Sequence, residues 1–154
     1  MIEIYTDGAT SGNGYEGAQG GWAFVILENG YLAWKSSGHI DNATNNICEL
    51  TAAIYAINRL VFMLKTNQLS FSPVTLYSDS AYIINCYKQK WYEKWEKNGW
   101  KNSKKEPVAN KELWEQLIPH FKDPAIKFEK VPEHRGVQWN ELVDAMAVEA
   151  KFNA

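Results

Sequence analysis

Residues 12–40 read GNGYEGAQGGWAFVILENGYLAWKSSGHI. The first six, Gly12 to Gly17, match the G-x-G-x-x-G of a dinucleotide-binding turn letter for letter. Such a turn must open a helix, because the helix N-terminus holds the pyrophosphate. No helix follows here. Trp22 to Leu27 are strand formers, Asn29-Gly30 is the strongest short hairpin signal, and an extended pattern resumes at Tyr31. The glycines therefore join two strands. Working outward, the chain opens with three consecutive strands: Ile2 to Asp7, about 20–27, and about 31–40. In the first, Ile2, Ile4 and Thr6 alternate with Glu3, Tyr5 and Asp7, so both faces of that strand carry a pattern.

Beyond the hairpins the period changes. In DNATNNICELTAAIYAINRLVFMLK, residues Ile47, Leu50, Ile54, Ile57, Val61 and Leu64 recur at three and four, the stripe of one helix. Asn46 is the expected cap, with Glu49 three residues on. SPVTLYSDS is a short strand ending at Asp79. AYIINCYKQKWYEKWEKNGWKN is helical with a break at Gly99, NKELWEQLIPHF is a further helix, AIKFEKV a strand and QWNELVDAMAVEAKF a closing helix. Strands separated by helices pair in parallel and hairpin strands antiparallel. The expected fold class is α/β, with a mixed five-stranded sheet and helices on both faces, formed by residues 1–154 as a single domain.

Composition narrows the function classes. A chain of 154 residues is long enough to bury a real core. Its two cysteines are too few for a disulfide framework or a zinc site, and its three histidines are scattered. A reduced, cytoplasmic protein is expected. No secretory leader is read at the start, and no apolar run is read as membrane-spanning. Seven Trp leave room for exposed stacking surfaces as well as core. The net charge of −2 carries no global nucleic-acid signature, but its distribution is uneven. Lys88 to Lys105 hold seven Lys and two Glu, a local +5, which leaves −7 for the rest. Trp91, Trp95 and Trp100 are interleaved with these lysines. The segment reads either as a solvated helix with core tryptophans or as a phosphate-binding arm with aromatic contacts.

Four carboxylates stand out. Asp7 and Asp79 each end a strand, and ligands of open α/β sheets sit outside the carboxyl ends of strands. If these strands are parallel neighbours, the two carboxylates lie side by side. Glu49 falls in the first turn of the intervening helix, and Asp144 lies one helical turn from Asn140. Each has an ordinary alternative: a turn pair, a capping box, a helix N-cap and a solvated face. As a set they place like charges together, which calls for a divalent cation. Oxygen-only ligands favour Mg²⁺ or Mn²⁺.

The blocks YTDGATSGNG, TNNICEL, YSDSAY, KWYEKWEKNGWKNSKKEPVANKELW and EHRGVQWNELVDAMA, in that order, resemble those of ribonuclease HI over nearly the whole chain. The resemblance implies a ribonuclease H-like fold and an endonuclease that hydrolyses the RNA strand of RNA–DNA hybrids. It implies that Asp7, Glu49, Asp79 and Asp144 bind two Mg²⁺ ions, with Mn²⁺ as a substitute, and that His134 assists proton transfer or product release. Two cations about 4 Å apart suit a transition state with negative charge on both the attacking and the leaving oxygen. The implied products carry 5′-phosphate and 3′-hydroxyl ends. Gly8, Asn13, Asn45 and Asn46 correspond to contacts with the hybrid's minor groove and its 2′-hydroxyls, and Thr44 and Asn110 to the pair holding a DNA-strand phosphate. Trp91, Lys94, Trp95, Lys97, Trp100 and Lys101 correspond to the basic protrusion that grips the DNA strand. RNA–DNA hybrid is the expected partner; no protein partner and no membrane are expected.

Departures from the family pattern are local. Asp41-Asn42 stand where a basic residue is common, Ala81 where a polar one is found, and Glu133 where Gly is common. Glu93 and Glu96 dilute the basic arm. Two rival readings are a noncatalytic hybrid-binding module and a DNA nuclease or integrase-like relative. Clustered negative charge facing phosphate argues against the first, and the basic arm with the asparagine-rich set of 2′-hydroxyl contacts against the second.

Overall fold

A computed structural model describes residues 1–12, 17–131 and 137–153, the Val137 side chain excepted. The elements run β1 (Ile2–Thr10), β2 (Gln19–Glu28), β3 (Tyr31–Asp41), α1 (Asn45–Lys65), β4 (Val74–Ser78), α2 (Ala81–Gln89), α3 (Trp91–Asn98), α4 (Lys111–Phe121), β5 (Ile126–Lys130) and α5 (Val137–Ala150). The sheet order is β3-β2-β1-β4-β5. β1, β2 and β3 pair antiparallel, and β1–β4 and β4–β5 pair parallel. The mixed sheet expected from the hairpin and helix signals is what forms.

The alternation in β1 decides the layering. Ile2 and Ile4 enter a large core shared with α1, α4 and the inner residues of α2, while Tyr5 enters a second core closed by Val143 and Ala147 of α5. Both faces of the sheet are thus covered. α5 approaches very closely because Gly21 has no side chain: a Cβ there would stand 2.1 Å from the Ala147 carbonyl oxygen.

Three boundaries differ from the sequence reading. The cap of α1 is Thr44, whose hydroxyl accepts the Ile47 N–H at 3.1 Å, rather than Asn46, so Glu49 is not half of a capping box. β1 continues past Asp7 to Thr10, because its pairing with β2 outlasts its pairing with β4. The helical stretch after Ala81 breaks first at Lys90, in left-handed conformation at φ 55°, and then at Gly99. A fourth difference concerns α1 itself. It has 21 residues, and an 18-residue stretch within it has a mean hydropathy of 1.6, long and apolar enough to cross a bilayer, but Leu50, Ile54, Ile57, Leu60 and Met63 are buried inside the molecule. It is the central core helix.

Candidate active site

The last register pair joining β1 to β4 is Thr6 with Ser78. Asp7 and Asp79 are the next residue on each strand, so both carboxylates leave the sheet at one level. Just inside them, Tyr5 and Tyr77 pair in register and stack at 4.9 Å. Ser80, the residue after Asp79, caps α2 by accepting the Ile83 N–H at 3.2 Å. That leaves the Asp79 carboxylate uncommitted to the cap and exposed to solvent.

Glu49 reaches this level from the opposite face of the sheet through Gly8. A Cβ on Gly8 would stand 2.6 Å from the Cys48 carbonyl carbon and 2.7 Å from the Glu49 nitrogen. The bare backbone at Gly8 is what lets the first turn of α1 press against β1. Asp7 and Glu49 then interact directly. Asp7 Oδ1 accepts the Gly8 N–H at 2.9 Å. Burial pushes the Asp7 carboxyl up to about 6, opposed in part by its hydrogen bonds with Glu49 and Gly8, and the Asp144 charge adds to the rise. Burial and then the Asp7 charge push Glu49 up to about 9, with a smaller contribution from Asp79. The two carboxyls thus compete for one proton, and burial raises both. Asp144, on the exposed side of α5, completes the set, one turn after Asn140.

Among the described residues, two buried oxygens, Glu49 Oε1 and Asn140 Oδ1, lack a hydrogen-bond partner. Such atoms are costly to bury unless something completes them. Among the described residues, no three acidic, histidine or cysteine side chains are already drawn together as a cage. The donor set nevertheless fits a hard divalent cation: oxygen ligands, an open buried acceptor and two carboxyls raised by burial.

The residues expected from the sequence to contact nucleic acid are distributed over neighbouring elements. Thr44 caps α1, and Asn110 occupies the N-cap position of α4, the helix packed beside α1. Asn45 Oδ1 accepts from the Thr10 hydroxyl at 3.0 Å, and Asn46 lies in the first turn of α1. Lys94, Lys97, Lys101 and Lys104 are exposed and take no part in the ion pairs formed among the described residues. Of the diluting acids, Glu96 is occupied by Lys122 at 3.0 Å. The indoles of Trp91, Trp95 and Trp100 form a chain, 6.2 Å and then 5.6 Å between ring centres, half-buried against the main core. They attach the arm to the domain. Asn13, Glu133 and His134 lie outside the described residues.

The RNase H family model matches residues 1–152. This chain belongs to the ribonuclease H family. It is 42% identical over 149 residues to the ribonuclease H of Thermoanaerobacter sp. strain X514, covering 97% of this chain and 88% of the relative. It is 44% identical over 146 residues to that of Syntrophomonas wolfei, covering 95% and 92%. Among solved structures it resembles LC11-RNase H1, determined in complex with RNA/DNA hybrid, with a TM-score of 0.72, 27% identity, and coverage of 99% and 98%. As a ribonuclease H the chain is an enzyme, a nuclease that hydrolyses phosphodiester bonds.

Two residues beside the site were given no part by the ribonuclease H pattern. Asn42, which stands where a basic residue is common, turns the chain in left-handed conformation (φ 53°), and its Oδ1 accepts the Gly17 N–H at 3.0 Å. Asparagine's tolerance of that conformation was a legible clue. Tyr82, which touches both Asn110 and Trp114, had none.

Proposed function

We propose that this ribonuclease H cleaves the RNA strand of RNA–DNA hybrids with two bound Mg²⁺ ions, for which Mn²⁺ can substitute, leaving 5′-phosphate and 3′-hydroxyl ends. The observation that carries the reading is the convergence of Asp7, Glu49, Asp79 and Asp144 on one end of the central strands, with a buried, unpartnered Glu49 oxygen among them. These four residues hold the cations. When bound, the cations supply positive charge to the attacking and leaving oxygens of the phosphodiester.

The chain's own residues do the rest. As ligands, Asp7 and Glu49 would both have to be ionised, so the pair would hold the cations without a shared proton. Thr44 and Asn110 hold a DNA-strand phosphate, which fixes the register of the duplex. Gly8, Asn13, Asn45 and Asn46 meet the 2′-hydroxyls, the feature that tells an RNA strand from DNA. The lysines of α3 and the following loop grip the DNA backbone through Coulomb attraction and counterion release. His134 moves a proton or assists product release. The free, buried thiols of Cys48 and Cys86 suit a reducing compartment, and we place the enzyme in the cytoplasm.

The deciding experiment follows one labelled RNA strand alone, paired with RNA, and paired with DNA, each with and without Mg²⁺. Cleavage only of the DNA-paired strand, and only with metal, is expected. Equal cleavage of the RNA duplex, or cleavage in chelator, overturns the reading.

A further inference from the structure

Asn110 holds the N-cap position of α4 but does not cap it. Its backbone is left-handed (φ 61°), and no side-chain hydrogen bond closes the first turn. Its carboxamide turns away instead: Nδ2 donates to the Tyr82 Oη at 3.3 Å. The same phenolic oxygen accepts the indole N–H of Trp114 at 3.0 Å, and Trp114 is fully buried. The Trp114 N–H can only donate, so it holds one Tyr82 lone pair permanently. The rings of Tyr82 and Trp114 lie 4.9 Å apart, which fixes the tyrosine in place.

This arrangement has a consequence for anion binding. The amide nitrogen carries two hydrogens, so while one donates to Tyr82 the other remains to donate to an anion. A half-turn of the carboxamide would exchange Nδ2 for Oδ1, an acceptor that repels a phosphate oxygen. The Tyr82 lone pair left over by Trp114 favours the first arrangement by accepting from Nδ2. Phenylalanine cannot accept that bond.

We propose that Tyr82 is a positioning residue for Asn110. Its hydroxyl, anchored by Trp114, accepts one Nδ2 hydrogen of Asn110 and so leaves the other aimed at a DNA-strand phosphate. The proposal rests on the reading of Asn110 as a phosphate contact and gives that contact its supporting partner. The terminal amide of an unsupported asparagine has a broad, soft torsion, so the partner sets which atom faces the ligand.

The test is a double-mutant cycle on the intact protein, using Tyr82→Phe, Asn110→Ala and both together, read as KM and kcat on hybrid in Mg²⁺. Asn110→Ala should raise KM by roughly tenfold, the scale of one hydrogen bond to a charged group. Tyr82→Phe should raise KM by several-fold in the wild-type background and by nothing further in the Asn110→Ala background, with kcat at saturation retained. A second arm places one neutral methylphosphonate at a time along the DNA strand. Wild type should lose affinity at the phosphates the lysines hold and at the one Asn110 holds, and only at the last of these should both single variants show a smaller penalty than wild type.

Because Tyr82→Phe leaves the buried Trp114 N–H without an acceptor, a melting curve accompanies each variant. The wild-type protein is also followed by NMR on adding hybrid without Mg²⁺. The Trp114 indole and Asn110 carboxamide signals should shift at the same hybrid concentration. Additive effects, an intact methylphosphonate penalty in Tyr82→Phe, or a stationary Trp114 signal each overturn the proposal. If Asn110→Ala leaves KM unchanged, Asn110 is not a phosphate contact and the proposal falls with it. Absence of hybrid cleavage by the wild type would instead overturn the functional reading itself.

Discussion

At the scale of single residues, the site depends on one side chain that is absent as much as on those present. Gly8 admits the first turn of α1, and through it Glu49, to the level of Asp7. Gly8→Ala puts a methyl group against backbone atoms at 2.6–2.7 Å, which only a shift of α1 can relieve. Overpacking of this kind costs about 1–3 kcal/mol. The expected result is a lower melting temperature together with a loss of turnover larger than the instability explains, since the shift separates Glu49 from Asp7. Retention of full kcat in a folded Gly8→Ala variant contradicts this role for Gly8. Asp79 poses a different test. It is exposed and free of the α2 cap, so Asp79→Asn should fold normally. Cleavage in Mg²⁺ should be abolished while hybrid binding in a gel-shift assay persists. Wild-type turnover in that variant would show that Asp79 is no metal ligand.

At the scale of elements, α3 and the loop after it separate two roles that the sequence left mixed. Its tryptophans face inward, with Trp95 5.6 Å from buried Trp114, while its lysines stay in water. Replacing Lys94, Lys97, Lys101 and Lys104 with Ala should therefore leave the fold intact and raise KM. Every lysine that neutralises a phosphate should, on removal, reduce the log–log salt slope of binding by roughly 0.7–0.9. Turnover at saturating hybrid should hold, because these charges contribute to binding the ground and transition states alike. A fluorescence-anisotropy salt titration measures the slope, and an unchanged slope means the lysines face only solvent. Replacing Trp95 should behave differently, lowering stability before it affects salt dependence.

At the scale of the whole molecule, catalysis and stability oppose one another through buried charge. Asp7 rises from 3.8 to about 6 and Glu49 from 4.5 to about 9 in the folded, metal-free protein. A carboxyl raised on folding favours the folded state most where both states keep the proton. Its contribution is complete below the unfolded value and is lost as pH rises through the folded one. The melting temperature in chelator should thus decline from the acid side, through about 6 as Asp7 ionises and on toward about 9 as Glu49 does. Replacing both with Asn and Gln should flatten that limb and raise stability above neutral pH. Each kcal/mol recovered is worth roughly 2–4 °C in a chain of this size. Mg²⁺ or Mn²⁺ should raise the melting temperature of the wild type at alkaline pH, by linkage, and leave the double variant unmoved. A flat pH profile for the metal-free wild type would contradict the site's electrostatics.

The sequence by itself determined the elements and their order, because periodicity and turn chemistry are local. Asn29-Gly30 made the hairpin, the three-four spacing from Ile47 made α1, and strands separated by helices required parallel pairing at β1, β4 and β5. It also marked the four carboxylates, through strand-end placement and the blocks around them. Only the tertiary structure decided what crosses between elements. The cap of α1 moved to Thr44, and β1 ran past Asp7 because β2 pairs further along it than β4 does. The tryptophans of the arm faced the core because Trp114, which the sequence places far from Trp91, supplies their packing surface. Tyr82 acquired its two donors from residues 28 and 32 positions away. Contacts at such separation leave no periodic trace in the chain, since they are fixed by how helices settle on the sheet.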